Sequence, residues 1–156
     1  QGTRLLPDDP WDRAKTLQID GLISWRGWLS RGRLRDVYRS SHCLVLPSLY
    51  EGMSNVVLEA MASSLPVIAS DVIGNRDLVR HGETGFLFPL DKPEEGVSAM
   101  RRLLHDPDLA KGMGQAGRNL VINHFSWKSA ADSYARLFES KKDCGNEPLM
   151  QNEVKA

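Results

Sequence analysis

The sequence has few cysteines and no surplus of charge of either sign. Of its 156 residues only two are cysteines, so neither a disulfide scaffold nor a paired-cysteine zinc or redox motif is expected. Twenty basic residues balance twenty acidic ones, which excludes a general electrostatic attraction to nucleic acid. These shortages favour a reducing, cytoplasmic context and a protein without a nucleic-acid partner.

Long hydrophobic runs are also missing. The longest, such as Cys43–Pro47, fall far short of the roughly 20 apolar residues of a transmembrane helix. The first residues do not resemble a signal peptide, and the chain begins at Gln1 rather than methionine, which indicates a piece of a longer protein. The 41% of hydrophobic residues is nevertheless enough for one core in a chain of this length.

Short apolar strands alternate with amphipathic helices along the chain. Strands are predicted over Leu22–Arg26, Cys43–Leu46, Pro66–Ser70 and Phe86–Phe88. Helices are predicted over Trp11–Leu17, after the N-cap candidates Ser30, Ser54 and Ser126, over Arg76–Arg80 and Glu94–His105, and from Pro107. The continuous run Cys43–Leu46 predicts a strand buried on both faces, which is typical of parallel sheets. The expected fold class is α/β, with a Rossmann-like parallel sheet flanked by helices over residues 1–140 and a polar, disordered tail over 141–156.

The residues best placed for chemistry follow the strand Cys43–Leu46. The loop after it lies at the carboxyl end of a parallel strand, where open α/β sheets bind ligands. Because the loop leads into a helix N-terminus, free N–H groups and the positive end of the dipole suit a phosphate there, and Gly52 allows a close approach. Glu51 and Glu59 flank this helix start, and a carboxylate accepts hydrogen bonds from two neighbouring sugar hydroxyls. The arrangement is consistent with a nucleoside diphosphate sugar, although spacing alone is explained more simply by a loop acid and a solvated helix carboxylate.

The same stretch resembles the signature of the group 1 (family 4) retaining glycosyltransferases. With seven residues between the two glutamates, it contains Pro47-Ser48-x-x-Glu51-Gly52 and then Glu59-Ala60-Met61-Ala62. The match continues in the right order through Pro66-Val67-Ile68-Ala69-Ser70, Gly74, Thr84-Gly85-Phe86-Leu87 and His124-Phe125-Ser126-Trp127. The resemblance implies one half of the two-domain GT-B fold, namely the C-terminal, donor-binding domain with an incomplete N-terminal edge.

Carried over to the matching positions, the resemblance implies a role for each residue of this stretch. Glu51 would bond the hydroxyls of the transferred sugar as the catalytic residue, and Glu59 would accept the ribose hydroxyls. The sugar and the diphosphate would be contacted at Gly52, Met53, Ser54, Asn55 and Val56, and Gly27 and Trp28 would lie on the nucleobase side. The resemblance implies no metal ion or cofactor in this domain, and a UDP-, GDP- or ADP-sugar as the donor.

The implied function is that of a glycosyltransferase that transfers a hexosyl group with retention to an acceptor bound by a missing N-terminal domain. The chain alone is expected to be inactive, because that domain is absent. An Arg and a Lys that neutralise the diphosphate in the family also have no match before Leu22. Ser64 replaces a common glycine, and Asp77 a common glutamate. Two alternatives stay open: a non-catalytic sugar-nucleotide binding or partner-interaction domain, and a GT-B-fold sugar-nucleotide epimerase.

Arginines recur at helical spacing after Ser30. Arg31, Arg35 and Arg39 share one face of the predicted helix, and a solvated surface explains such a charged face. A contact with a lipid phosphate or an acidic acceptor is the alternative. The acceptor therefore stays open between a glycan, a lipid and a small molecule, and a membrane surface stays open as a partner.

Overall fold

The computed structural model describes residues 9–142, which fall into two compact units that meet in sequence between Leu34 and Arg35. Helix α1 spans Pro10–Thr16, close to the predicted Trp11–Leu17; the Asp9 side chain caps it by accepting from the N–H of Trp11. A single 3₁₀ turn, Asp20–Leu22, follows. Nothing in this first unit forms a sheet within the described residues.

The prediction of a strand over Leu22–Arg26 is wrong. The segment continues from the 3₁₀ turn into irregular backbone, and the apolar side chains that suggested a buried face are exposed, with Leu22 at 87% and Trp25 at 85%. Alternation favours a strand only where a neighbouring strand satisfies the backbone hydrogen bonds and covers one face. The described residues provide no such neighbour for this segment.

The second unit contains a parallel sheet of three strands in the order β1 (Leu44–Leu46), β2 (Val67–Ser70) and β3 (Gly85–Phe88). All four residues of β2 are buried, as expected for a central parallel strand. Burial of β1 on both faces was predicted, but β1 is an edge strand of the described sheet, and Val45 is 38% exposed. The strand predicted from the continuous apolar run is therefore confirmed, but the prediction that it is buried on both faces is wrong.

Helices connect and cover these strands. They are α2 (Arg31–Ser40), α3 (Asn55–Ala62), α4 (Ile73–Arg76), α5 (Pro93–His105), α6 (Pro107–His124) and α7 (Trp127–Lys142). Pro93 and Pro107 each stand at the start of a helix, where the missing N–H of proline costs nothing. Ser126 caps α7 as predicted, since its Oγ accepts from the N–H of Ser129 at 3.1 Å. Apart from the last residues of α7, the predicted tail 141–156 lies outside the described residues.

The short helix predicted over Arg76–Arg80 begins earlier, at Ile73, and ends at Arg76. Gly74 and Asn75 disfavour helix by intrinsic propensity, but tertiary contacts hold both in α4. The fully buried Asn75 side chain donates to the carbonyl oxygen of Ser70 at 2.9 Å, and Gly74 packs against the loop that follows β1. Packing therefore overrides local propensity at this position.

One part of the core of the second unit lies between the sheet and helices α5 and α6, where a buried cluster is formed by Ile68, Phe86, Phe88, Ala99, Leu103 and Met113. Helix α3 adds the fully buried residues Val57, Ala60 and Met61. Helix α6 also approaches the turn after α3 closely, where Ser64 has a φ of 61°. Within residues 9–142, none of the helices combines the length and the apolar character needed to cross a bilayer.

Candidate functional site

The loop between β1 and α3 is anchored to the carboxyl end of the neighbouring strand β2. The hydroxyl of Ser70, the last residue of β2, donates to the carbonyl oxygen of Ser48 at 2.6 Å. Asn75 in turn donates through Nδ2 to the carbonyl oxygen of Ser70 at 2.9 Å and to its Oγ at 3.3 Å. Because Ser70 and Asn75 are fully buried, these bonds fix the start of the loop to the core.

Glu51 is held by Ser48, which lies near the start of this anchored loop. The hydroxyl of Ser48 donates to Glu51 Oε1 at 2.7 Å, and Glu51 is half-buried. Charge-assisted bonds of this kind are shorter and stronger than neutral ones. The other carboxylate oxygen, Oε2, has no hydrogen-bond partner among the described residues, so it remains available to a hydroxyl group of a ligand.

The middle of the loop packs directly on α4. A Cβ atom at Gly74 would lie 2.1 Å from the carbonyl oxygen of Gly52 and 2.4 Å from that of Glu51, so only glycine fits at position 74. Gly52 itself has open space where a side chain would begin. The sequence predicted a close backbone approach at Gly52, and the structure leaves room for it there.

Helix α3 begins directly after the loop, with Ser54 at its N-cap position. The Ser54 side chain makes no capping hydrogen bond, which corrects the prediction that its hydroxyl would cap the helix. The first N–H groups of an α-helix have no partner inside the helix, and the Ser54 hydroxyl does not satisfy them here. Asn55 and Val56 are exposed at this end, as is Met53 just before it. The start of α3 therefore presents free donors at the positive end of a helix dipole.

Glu59 lies one turn further along α3, on its exposed side. The hydroxyl of Tyr38 on α2 donates to Glu59 Oε2 at 3.2 Å. Burial, and after it the charge of Glu59 and the hydrogen bond to Glu59, together raise the pKa of Tyr38 to about 12. No local pattern in the sequence links Tyr38 to Glu59, because the two residues are 21 positions apart.

The two residues predicted on the nucleobase side, Gly27 and Trp28, belong to the first unit. Gly27 has a φ of 58°, a left-handed conformation that glycine adopts without strain, and Trp28 is fully exposed. Their predicted place beside a nucleobase stays a prediction. The other predicted residues, from Glu51 to Glu59, follow one another on the loop and on the first turns of α3.

This site combines two carboxylates with a helix N-terminus. Each carboxylate is oriented by one neutral hydroxyl donor, Ser48 for Glu51 and Tyr38 for Glu59, and neither has a basic partner within salt-bridge distance among the described residues. Such groups suit a ligand that carries hydroxyl groups on both sides of a phosphate. The described residues contain no group of three or more His, Cys, Asp or Glu side chains that would hold a metal ion.

Comparison with known families and curated proteins gives consistent matches. The model of the family described as glycosyl transferases group 1 matches residues 10–120. A glycosyltransferase 1 domain-containing protein 1 from Xenopus tropicalis is 34% identical over 132 residues, which cover 85% of this chain and 37% of that protein. The chain spans about a third of the length of the curated relatives it matches.

Solved structures show the same fold. Sucrose-phosphate synthase from Thermosynechococcus elongatus matches with a TM-score of 0.76 and 30% identity, over 86% of this chain and 34% of that one. Anabaena HepE, solved with UDP-glucose, matches with a TM-score of 0.74 and 18% identity, over 83% of this chain and 35% of that one. The predicted α/β class, a parallel sheet flanked by helices as in one half of a GT-B glycosyltransferase, is confirmed.

Proposed function

The chain belongs to the group 1 glycosyltransferases, and on this premise we propose that it is the part of such an enzyme that binds a nucleoside diphosphate sugar. The observation that carries the proposal is the position of Glu51 and Glu59 on either side of the uncapped start of α3. Each carboxylate is oriented by a neutral hydroxyl. Both therefore keep acceptor capacity for the hydroxyls of a ligand.

The diphosphate binds at the start of α3 in this proposal. Backbone N–H groups at Met53, Ser54 and Asn55 contact the sugar and the diphosphate, and those of Asn55 and Val56 hold the distal phosphate. The free N–H groups and the helix dipole stabilise the negative charge. Open space beside Gly52 supports this placement, because a phosphate or a sugar fits there without meeting a side chain.

The two carboxylates bind the two sugars of the donor. Glu51 accepts from hydroxyls of the transferred hexose through its unpartnered Oε2, and Glu59 accepts from the ribose hydroxyls. A UDP-sugar is the first donor to test, since HepE, a protein of the same fold, was solved with UDP-glucose.

The reaction is the transfer of the hexosyl group to an acceptor with retention of its anomeric configuration. The bond between the sugar and the diphosphate breaks as the acceptor oxygen bonds the sugar, and a phosphate oxygen of the donor takes the acceptor proton. The N–H groups at the start of α3 stabilise the charge that develops on the leaving diphosphate. Glu51 orients the sugar and is not the nucleophile.

The remaining parts of the proposal concern the rest of the enzyme. The acceptor binds to a further domain, in line with curated relatives of which this chain covers about a third. The chain alone is inactive in transfer, and the enzyme works in the cytoplasm. Donor binding needs no metal ion, so excess EDTA leaves the dissociation constant unchanged in a calorimetric titration; a weaker affinity in EDTA contradicts this part.

The test is a thermal melt of the chain with UDP, GDP, ADP and UDP-glucose. A ligand at ten times its dissociation constant stabilises the folded state by about 1.4 kcal/mol. We expect stabilisation by one nucleotide and its sugar conjugate, and its loss in Glu59→Ala. The matched control is Glu94→Ala, which removes an exposed carboxylate from the first turn of α5 and should keep the full shift. A chain that no nucleotide stabilises contradicts the proposal.

A further inference from the structure

Tyr38 contacts the proposed ribose-binding carboxylate without belonging to the binding loop. We propose that Tyr38 is a positioning residue that fixes the Glu59 carboxylate and thereby sets the preference of the site for ribonucleotides over deoxyribonucleotides. This inference rests on the proposed function, in which Glu59 accepts the ribose hydroxyls. It concerns a residue that carries none of the contacts to the donor itself.

The first support is the contrast between the two partners of this hydrogen bond. Tyr38 is 7% exposed, so the surrounding packing holds its ring and its hydroxyl in place. Glu59 is exposed on α3, and its side chain has three rotatable torsions. Among the described residues, the contact that orients its carboxylate is the 3.2 Å hydrogen bond from the Tyr38 hydroxyl. The fixed partner therefore determines the position of the mobile one.

The second support is the direction of the bond. The pKa of Tyr38 is raised to about 12, chiefly by burial, so the phenol stays protonated at neutral pH and donates to Glu59 Oε2. A carboxylate offers about four lone-pair sites. One is used by Tyr38, which leaves Oε1 and the remaining site on Oε2 for two hydroxyl groups.

Selectivity follows from this orientation. A carboxylate held in one position matches the 2′- and 3′-hydroxyls of ribose together, and it loses one bond when the 2′-hydroxyl is absent. A carboxylate free to rotate can turn to water instead, so it distinguishes the two sugars less well. Sites built to bond a hydroxyl reject the analogue that lacks it because their polar groups are left unpaired.

The experiment compares UDP, GDP and ADP with their 2′-deoxy counterparts in calorimetric titrations of the chain. Tyr38→Phe keeps the buried ring and removes only the hydroxyl, while Tyr134→Phe removes an exposed hydroxyl on α7 as the matched control. We expect Tyr38→Phe to weaken ribonucleotide binding by about two- to tenfold, the effect of one hydrogen bond. Binding of the deoxyribonucleotide should change much less, so the ratio of the two dissociation constants falls, whereas Tyr134→Phe leaves both unchanged.

The ratio separates positioning from a purely structural role. If Tyr38→Phe weakens both nucleotides by the same factor, or neither, Tyr38 only packs the helix and the inference is overturned. In the Glu59→Gln background, Tyr38→Phe should no longer change the ratio; a full effect there also overturns it, because the route through Glu59 would be wrong. A wild-type chain that binds none of the three nucleotides overturns the proposed function, and with it this inference.

Discussion

The contact between Gly74 and the loop that joins β1 to α3 allows a direct test of whether the position of this loop sets the proposed affinity for the donor. In Gly74→Ala the new methyl group would start 2.1 Å from the carbonyl oxygen of Gly52 and 2.4 Å from that of Glu51. Carbon and oxygen atoms in ordinary contact are about 3.3 to 3.6 Å apart. Either α4 or the loop must therefore move by about 1 Å.

The loop is the part that moves. Helix α4 is held by the buried side chain of Asn75, whereas Gly52 lies at the exposed tip of the loop. A shift of about 1 Å carries Glu51 away from Ser48, and small-to-large changes of this kind cost about 1–3 kcal/mol. If the cost falls on the bound loop, the dissociation constant for the donor rises by about 5- to 150-fold.

The assay is a calorimetric titration with UDP-glucose, accompanied by a thermal melt of each variant. Gly112→Ala is the matched control, because it lies within α6 with open space around its Cα, and alanine there should stabilise the helix by about 0.5–1 kcal/mol. We expect weaker binding only in Gly74→Ala. If Gly74→Ala binds UDP-glucose as tightly as the wild type, loop position does not set donor affinity and the reasoning is refuted.

Three further predictions address the carboxylates, the departure at Ser64 and the buried phenol. In steady-state kinetics of the full-length enzyme, Glu51→Gln should lower kcat and Glu59→Ala should chiefly raise the KM of the donor; unchanged kinetics in both would contradict their roles. Ser64 has a φ of 61°, a left-handed conformation that glycine adopts with less strain. Ser64→Gly should therefore raise the free energy of unfolding, measured by urea titration, by about 1 kcal/mol. A loss of stability would show that the Ser64 hydroxyl matters more than the backbone conformation. The pKa of Tyr38 rises on folding from 10.0 to about 12, so its contribution to stability is complete below pH 10 and is lost as the pH rises towards 12. The free energy of unfolding of Tyr38→Phe should therefore fall less steeply with pH over that interval than that of the wild type. Parallel curves of unfolding free energy against pH would refute the raised pKa of Tyr38.

The sheet could be predicted from the sequence because its strands are short runs of apolar residues between turns. Cys43–Leu46, Pro66–Ser70 and Phe86–Phe88 correspond to β1, β2 and β3 within one or two residues. Leu22–Arg26 has an equally clear pattern and forms no strand. Pattern indicates which face of a segment is apolar, but the presence of a neighbouring strand decides whether the backbone pairs.

In the candidate site, features that depend on neighbouring residues could be predicted, whereas contacts between distant residues could not. Glu51, Gly52 and Glu59 could be predicted because loop and helix follow directly on a strand. The bonds that tie the site to other elements could not be predicted, since Ser48 and Ser70 are bonded across 22 positions and Tyr38 and Glu59 across 21. The contact of Gly74 with the loop could not be predicted either, because it depends on the packing of α4.

The hydrogen bonds that support Glu51 and Glu59 leave both carboxylates charged, which affects the proposed binding of a donor. Ser48 and Tyr38 are neutral donors, so they orient Glu51 and Glu59 without cancelling their negative charges. A diphosphate placed between two such carboxylates is repelled by both, and the dipole of α3 contributes only about half a positive charge. In the proposed site, the hydroxyl contacts of the two carboxylates offset this repulsion, so the orientation of Glu51 by Ser48 and of Glu59 by Tyr38 bears directly on donor affinity.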